Sequence, residues 1–211
     1  MTSDLPQSET APMHRDASKP ESAVRRWWRV YCGRDAVDRG ARARLRRCRS
    51  TQEALFEKAA ITLPRWTNAI RAGASDLTPE ALRTLDLTRV LAHVREDDSS
   101  LRPMQAAGWK EFPGDRRESD VDVSKRPKLS QVRFRRLLTT DGGEDLVRAF
   151  IRLVALLDGK VNVEALGRDF RDWGHPSRGE AVRQRWAFDY YAASTANPAA
   201  IDAASFNQGD N

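Results

Sequence analysis

The stretch Glu-Asp-Leu-Val-Arg-Ala-Phe-Ile-Arg-Leu-Val-Ala-Leu-Leu, residues 144–157, decides the fold. Its apolar residues Leu146, Val147, Phe150, Ile151, Leu153, Val154 and Leu157 recur at steps of three and four, the period of an α-helix. They cover more of the helix than a single stripe, which predicts a helix at the centre of a bundle. Arg148 and Arg152 stand four apart and share one face of it. Asp141-Gly142-Gly143 turns the chain before this helix and Gly159 stops it.

The same grammar repeats outward. Asn162 caps a short helix to about Trp173; Gly174, Pro176 and Ser177 turn the chain; Arg178 to Ala193 forms a last helix. Upstream, Ser130 is an N-cap for a helix carrying Val132, Phe134, Leu137 and Leu138. Thr78-Pro79-Glu80 supplies a cap, a proline at the first helical position and an acid at the positive end of the dipole. The helix it opens reaches about Val94, with Leu82, Leu85, Val90, Leu91 and Val94 as its buried set. Ser50-Thr51-Gln52-Glu53 has the spacing of a capping box and starts a helix with Leu55, Phe56 and Ala59. Pro64 is expected to interrupt it, with a short further turn at Trp66 and Ile70. The first helix spans Ser22 to Tyr31, with Val24, Trp27, Trp28 and Tyr31 as anchors and Gly33 at its end; a second spans Asp35 to Arg47.

Period-two alternation is essentially missing, so the expected class is all-α. Residues 97–128 lack periodicity and contain Pro103, Gly108, Pro113, Gly114 and Pro127, with a mixed charge run from Asp115 to Asp122. They read as a long linker or loop. The expected organisation is a disordered leader 1–20, a helical-bundle lobe 21–96, the linker 97–128, a second lobe 129–193 and a flexible tail 194–211. A chain of 211 residues fits one ordinary domain or two small ones, and a hydrophobic content of 40% is enough for a core.

The polar, Pro/Ser-rich N-terminus has no apolar stretch of the secretory kind, and no apolar run approaches the ~20 residues that cross a membrane. The two cysteines, Cys32 and Cys48, are few and unpatterned, which fits a reduced cytoplasmic protein.

Charge is the strongest functional signal. Residues 25–49 hold ten arginines against two acids, Asp35 and Asp38, an excess of eight where the whole chain nets +6. On a helical wheel Val37, Ala41, Leu45 and Cys48 share one face; Arg39, Arg42, Arg46 and Arg49 form the adjacent stripe, with Arg47 further out and Arg44 on the other flank. Like charges this dense repel one another on an isolated helix, and a polyanion relieves that repulsion. The preference for arginine suits phosphate, which guanidinium binds through two parallel bonds. A second cluster, Lys125, Arg126, Lys128, Arg133, Arg135 and Arg136, contains no acid. Arg148 and Arg152 on the central helix and Arg183 and Arg185 on the last one extend the set into the second half. A pI near 9.7 agrees with a nucleic-acid partner, and less well with an anionic membrane surface. Nothing resembles a base-reading device, so backbone contact without sequence readout is expected. Trp27, Trp28, Trp66, Trp173, Trp186, Tyr190 and Tyr191 could stack on bases, but they sit beside apolar residues at helical positions and read better as core.

Catalytic signatures are absent. There is no phosphate-binding G-x-x-x-x-G-K-[ST] loop and no G-x-G-x-x-G, and His14, His93 and His175 are scattered without metal-ligand spacing. Asp120 and Asp122 could hold Mg²⁺ as in a nuclease, yet beside Lys125 and Arg126 they read as a solvated charge run. No cofactor, no metal and no enzymatic activity are expected.

Ala41-Arg42-Ala43-Arg44-Leu45-Arg46-Arg47-Cys48, followed by Ser50 and Glu53, resembles the R-x-x-L-R-R block of the CasB family, the small subunits of the type I-E CRISPR Cascade complex. Val24-Arg25-Arg26-Trp27-Trp28 agrees with that family's opening, and Leu129-Ser130-Gln131-Val132-Arg133-Phe134-Arg135-Arg136-Leu137-Leu138 resembles its R-F-x-x-L-L block. Val161-Asn162-Val163 through Asp172-Trp173-Gly174, then Arg185-Trp186-Ala187-Phe188-Asp189-Tyr190-Tyr191, is similar to its C-terminal end. The resemblance covers about residues 22–192 and leaves 97–128 without a matching block. It implies an all-α subunit of two lobes, present in two copies head to tail against the crRNA-bearing backbone subunits and the large subunit. It also implies nucleic-acid binding without sequence preference or nuclease activity, stabilising the R-loop and its displaced non-target strand. The contacts it implies are Arg42, Arg46, Arg47, Arg133, Arg135, Arg136, Arg183 and Arg185. The rival reading of the charge alone is a stand-alone basic helical protein of the nucleoid kind, binding DNA or RNA.

Overall fold

The computed structural model describes residues 21–34, 36–70, 76–110 and 117–191. The leader 1–20 and the tail 194–211 lie outside them. The class is all-α, as the sequence predicts, with helices α1 (Ala23–Tyr31), α2 (Arg39–Arg47), α3 (Thr51–Leu55), α4 (Lys58–Trp66) and α5 (Pro79–Leu91) in the first half. After them come α6 (Pro103–Ala107), α7 (Gln131–Leu138), α8 (Gly143–Leu156), α9 (Val163–Trp173) and α10 (Gly179–Tyr191).

The caps explain most boundaries. Ser22, Ser50, Thr78 and Asn162 each accept a backbone N–H three residues on, from Arg25, Glu53, Ala81 and Ala165. Asp38 accepts the N–H groups of Gly40 and Ala41 at 2.9 and 3.0 Å, so α2 starts at Arg39 rather than at Asp35. Pro64 does not interrupt its helix. It sits in the last turn of α4, where its missing N–H forfeits a single bond and the helix ends two residues later.

The centre of the bundle is α5, not α8. Nine of its thirteen residues are buried, and it packs against α2, α3 and α4 from the first half and α8 and α9 from the second. Its buried hydroxyls are satisfied locally: Thr84 and Thr88 donate to the carbonyls of Glu80 and Leu85 within their own helix. Helix α8 buries Leu146, Val147, Phe150, Leu153 and Val154 but keeps Arg148, Arg152 and Ala155 exposed. Two arginines without buried partners hold that face in water, which makes α8 one-sided.

One buried cluster runs through residues of both the 21–96 and 129–193 segments. Trp27 Nε1 donates to Ala59 O at 2.7 Å and Trp28 Nε1 to Val94 O at 3.2 Å, so both indoles are packed and satisfied. Phe150 lies 5.0 to 5.5 Å from the rings of Phe170, Trp173 and Trp186. Gly167 lets α9 approach α1: a Cβ there would stand 2.6 Å from Val24 Cγ1. A two-residue parallel clasp, β1 (Glu96–Asp97) on β2 (Lys160–Val161), ties the end of α5 to the end of α8.

The 97–128 segment contains α6, where no helix was expected, and it is strapped to α10. Trp109 N donates to Tyr190 O at 2.9 Å, Tyr190 Oη to Leu129 O at 2.6 Å, and Arg102 pairs with the buried Asp189 at 2.6 Å. Met104, Ala107 and Trp109 are buried.

Candidate nucleic-acid interface

Helices α7 and α8 follow one another across the turn at 139–142, with their apolar faces turned to the core and their basic faces outward. Phe134 and Leu137 pull α7 inward, which leaves Arg133, Arg135 and Arg136 exposed. Between the helices runs a groove of about 970 Å³. Arg133 and Arg136 line it from α7, Arg148 and Arg152 from α8, over a floor that includes Leu137, Ala149 and Leu153. Arg133, Arg136 and Arg152 have no acid within ion-pair distance among the described residues. Arg148 is 3.6 Å from Asp145, an exposed pair that holds it weakly. No aromatic ring lines the groove. The arrangement offers paired rows of bidentate donors to phosphate and no stacking platform for bases.

The second basic surface is α2. Arg39, Arg46, Arg47 and Arg49 are exposed and without an ion-pair partner among the described residues. Two members of the expected ridge differ. Arg42 is turned to the fold: its Nε and Nη2 donate to Ala92 O and Val94 O at 2.9 and 3.0 Å, satisfying carbonyls at the end of α5. Arg44 lies between Asp38 at 2.6 Å and Glu57 at 2.8 Å, and it holds the Asp38 carboxyl below its usual range. The charge of Arg44 is therefore answered within the protein.

The other predicted contacts divide in the same way. Arg126 donates to Val121 O and Ser119 O and staples its own loop. Arg183 donates to Leu138 O at 3.1 Å and lies over the Trp173 ring. Arg185 reaches the buried Asp169 at 2.6 Å, which also accepts Trp186 Nε1. These arginines were expected to face a partner; each instead spends donors on the fold, because it lies where helix ends or buried acids need them. Lys128 is exposed, 3.8 Å from Asp158, and Lys125 is exposed on a short turn.

Most of the aromatics belong to the core, as their positions predict: Trp27, Trp28, Trp173, Trp186 and Tyr190 are buried. Trp66 is half-buried beneath the Arg26 guanidinium, 4.6 Å from its ring centre, and Tyr191 is half-buried beside Phe134. His93 follows α5, near Arg42 and Arg46. Burial first, and then those two cations, push its pKa down to about 4, so it is neutral at pH 7. Burial raises the Cys32 thiol to about 12 and leaves it unreactive. Asp120 and Asp122 are exposed, and Asp122 is spent on capping a turn through Ser124 N. Among the described residues no three His, Cys, Asp or Glu side chains are grouped to hold a metal, and no helix is long and apolar enough to cross a membrane.

Sequence reasoning missed Arg89, which sits in the last turn of α5 within an ordinary apolar pattern. Its guanidinium is buried between Asp86 at 3.2 Å and Glu144 at 2.6 Å, and it also donates to Cys48 O. The two acids respond in opposite directions. Arg89 lowers the more exposed Glu144, while burial outweighs Arg89 at Asp86 and raises it. This triad fastens α8 to α5.

Residues 41–191 match the family described as CRISPR-associated protein Cse2. No curated protein and no solved structure matches the chain.

Proposed function

The chain belongs to the Cse2 family, the CasB subunits of type I-E CRISPR Cascade, and we propose that within that complex it is a non-catalytic, sequence-independent nucleic-acid clamp. The observation that carries this reading is the α7–α8 groove, where Arg133, Arg136 and Arg152 stand unpaired on two facing rims. Three guanidiniums without an ion-pair partner among the described residues, against the two groove acids Asp141 and Asp145 and with no aromatic platform, suit a phosphate backbone, whatever its bases. The exposed arginines of α2 supply a second stretch of the same chemistry.

The guide RNA supplies sequence recognition by pairing, and exchange of one duplex for another is close to balanced. A basic surface that holds the displaced non-target strand tips that balance. In this reading the subunit acts in the cytoplasm, beside the backbone and large subunits and a second copy of itself. It binds a strand without cutting it.

The test is the exposure of the displaced strand in assembled complexes carrying Arg133→Gln, Arg136→Gln, Arg148→Gln and Arg152→Gln together. Size-exclusion chromatography first establishes that the complex still assembles. The expected result is faster attack on the displaced strand by a single-strand nuclease, with the guide–target pairing intact. Equal protection in wild-type and variant complexes refutes the groove as the clamp.

A further inference from the structure

A smaller concave site, about 230 Å³, shares no lining residue with the groove. It is lined by Arg83 from α5, Arg171 from α9 and Arg178 ahead of α10, together with Glu80 and Asp172. Asp172 pairs with Arg178 at 2.8 Å. Arg83 and Arg171 have no acid within ion-pair distance among the described residues. In both, the Nε–H is shut away from solvent and finds no acceptor among the described residues. The Nε–H groups of Arg25, Arg89 and Arg185 are in the same condition elsewhere, so what marks this pocket is the convergence of three arginines from three elements, two of them without an acid partner among the described residues.

We propose that this pocket binds one phosphate group, independently of the strand-binding groove. Three guanidinium forks reach the site from three separate elements. A tetrahedral oxyanion offers acceptor oxygens in more than one plane and can meet forks arriving from different directions; a planar carboxylate meets one fork well. The pocket is too small to enclose a nucleotide with its base, so recognition stops at the phosphate. Glu80 is the one acid of the pocket without a cation partner among the described residues, and it opposes the anion.

The test uses the full chain and inorganic phosphate, with chloride at matched ionic strength as reference, read by calorimetry and melting temperature. Phosphate should bind and raise the melting temperature where chloride does not. The Arg83→Gln/Arg171→Gln variant should bind phosphate at least about tenfold more weakly, as the loss of charge-assisted bonds requires. Glu80→Gln should bind it more tightly than wild type, a gain that impaired folding cannot imitate. Arg65→Gln, which removes an exposed α4 arginine outside both sites, should bind phosphate as wild type does; the displaced-strand assay reads the groove separately, so failure of the clamp reading leaves this site standing, and the reverse. Phosphate no better than chloride, or undiminished binding in the Arg83/Arg171 variant, overturns the proposal. Competition by a short oligonucleotide then names the source. Displacement only by a 5′-phosphorylated strand identifies a terminal phosphate, displacement by either strand a backbone phosphodiester, and displacement by neither a free phosphate.

Discussion

Replacing Arg133, Arg136, Arg148 and Arg152 together by glutamine removes four charges from the groove while leaving the α7 and α8 core faces, Phe134, Leu137, Phe150 and Leu153, untouched. Each phosphate neutralised on a single strand contributes about 0.7 to the slope of log affinity against log salt. Arg133, Arg136 and Arg152 are unpaired and count fully, whereas Arg148 shares its charge with Asp145 and counts in part. The slope should therefore fall by about 2.1 to 2.8 in magnitude, and between about 50 and 200 mM salt the wild type should lose roughly 20- to 50-fold more affinity than the variant. The assay is fluorescence anisotropy of a labelled single strand titrated with each protein over a salt series. Two strands of unrelated sequence should give the same change, because backbone contacts carry no base information. A folded variant whose slope moves by less than about 0.5 would show that these guanidiniums do not meet phosphate, and the clamp reasoning would fail.

Arg42→Gln should leave the salt slope unchanged but lower stability by about 1–3 kcal/mol in urea unfolding, because it strands Ala92 O, while Val94 O keeps the Trp28 indole. Arg89→Met should cost about 3–5 kcal/mol by the same measurement, since Asp86 and Glu144 lose the cation they enclose. His93, held near 4 in the fold against an ordinary value of 6.5, takes up its proton on unfolding. Stability should therefore be complete above about pH 6.5 and decline toward pH 4, and His93→Gln should flatten that part of the wild-type profile in urea midpoints taken across it. In thiol titration of the native protein, half-buried Cys48 should react ahead of Cys32, whose thiol is buried and raised to about 12; both should react equally in denaturant.

Local rules written in the chain determined the helices. Ser22, Ser50, Thr78 and Asn162 cap where they stand because a cap needs only its own side chain and the next three residues. The all-α class and the assignment of most aromatics to the core followed from periodicity, which is also local. So did the exposure of Arg133, Arg135, Arg136, Arg148 and Arg152, since each lies opposite the apolar face of its helix. Tertiary structure alone decided which arginines are free. Arg42, Arg44, Arg183 and Arg185 look in sequence like Arg46 or Arg136, yet their partners lie 6 to 52 residues away along the chain. It also decided that α5 rather than α8 is the axis, because Arg89 finds Glu144 across 55 residues and can be buried, while Arg148 and Arg152 find no such partner and stay in water. Composition sets how much positive charge the protein carries; only the packing of distant segments sets which of it remains for a partner.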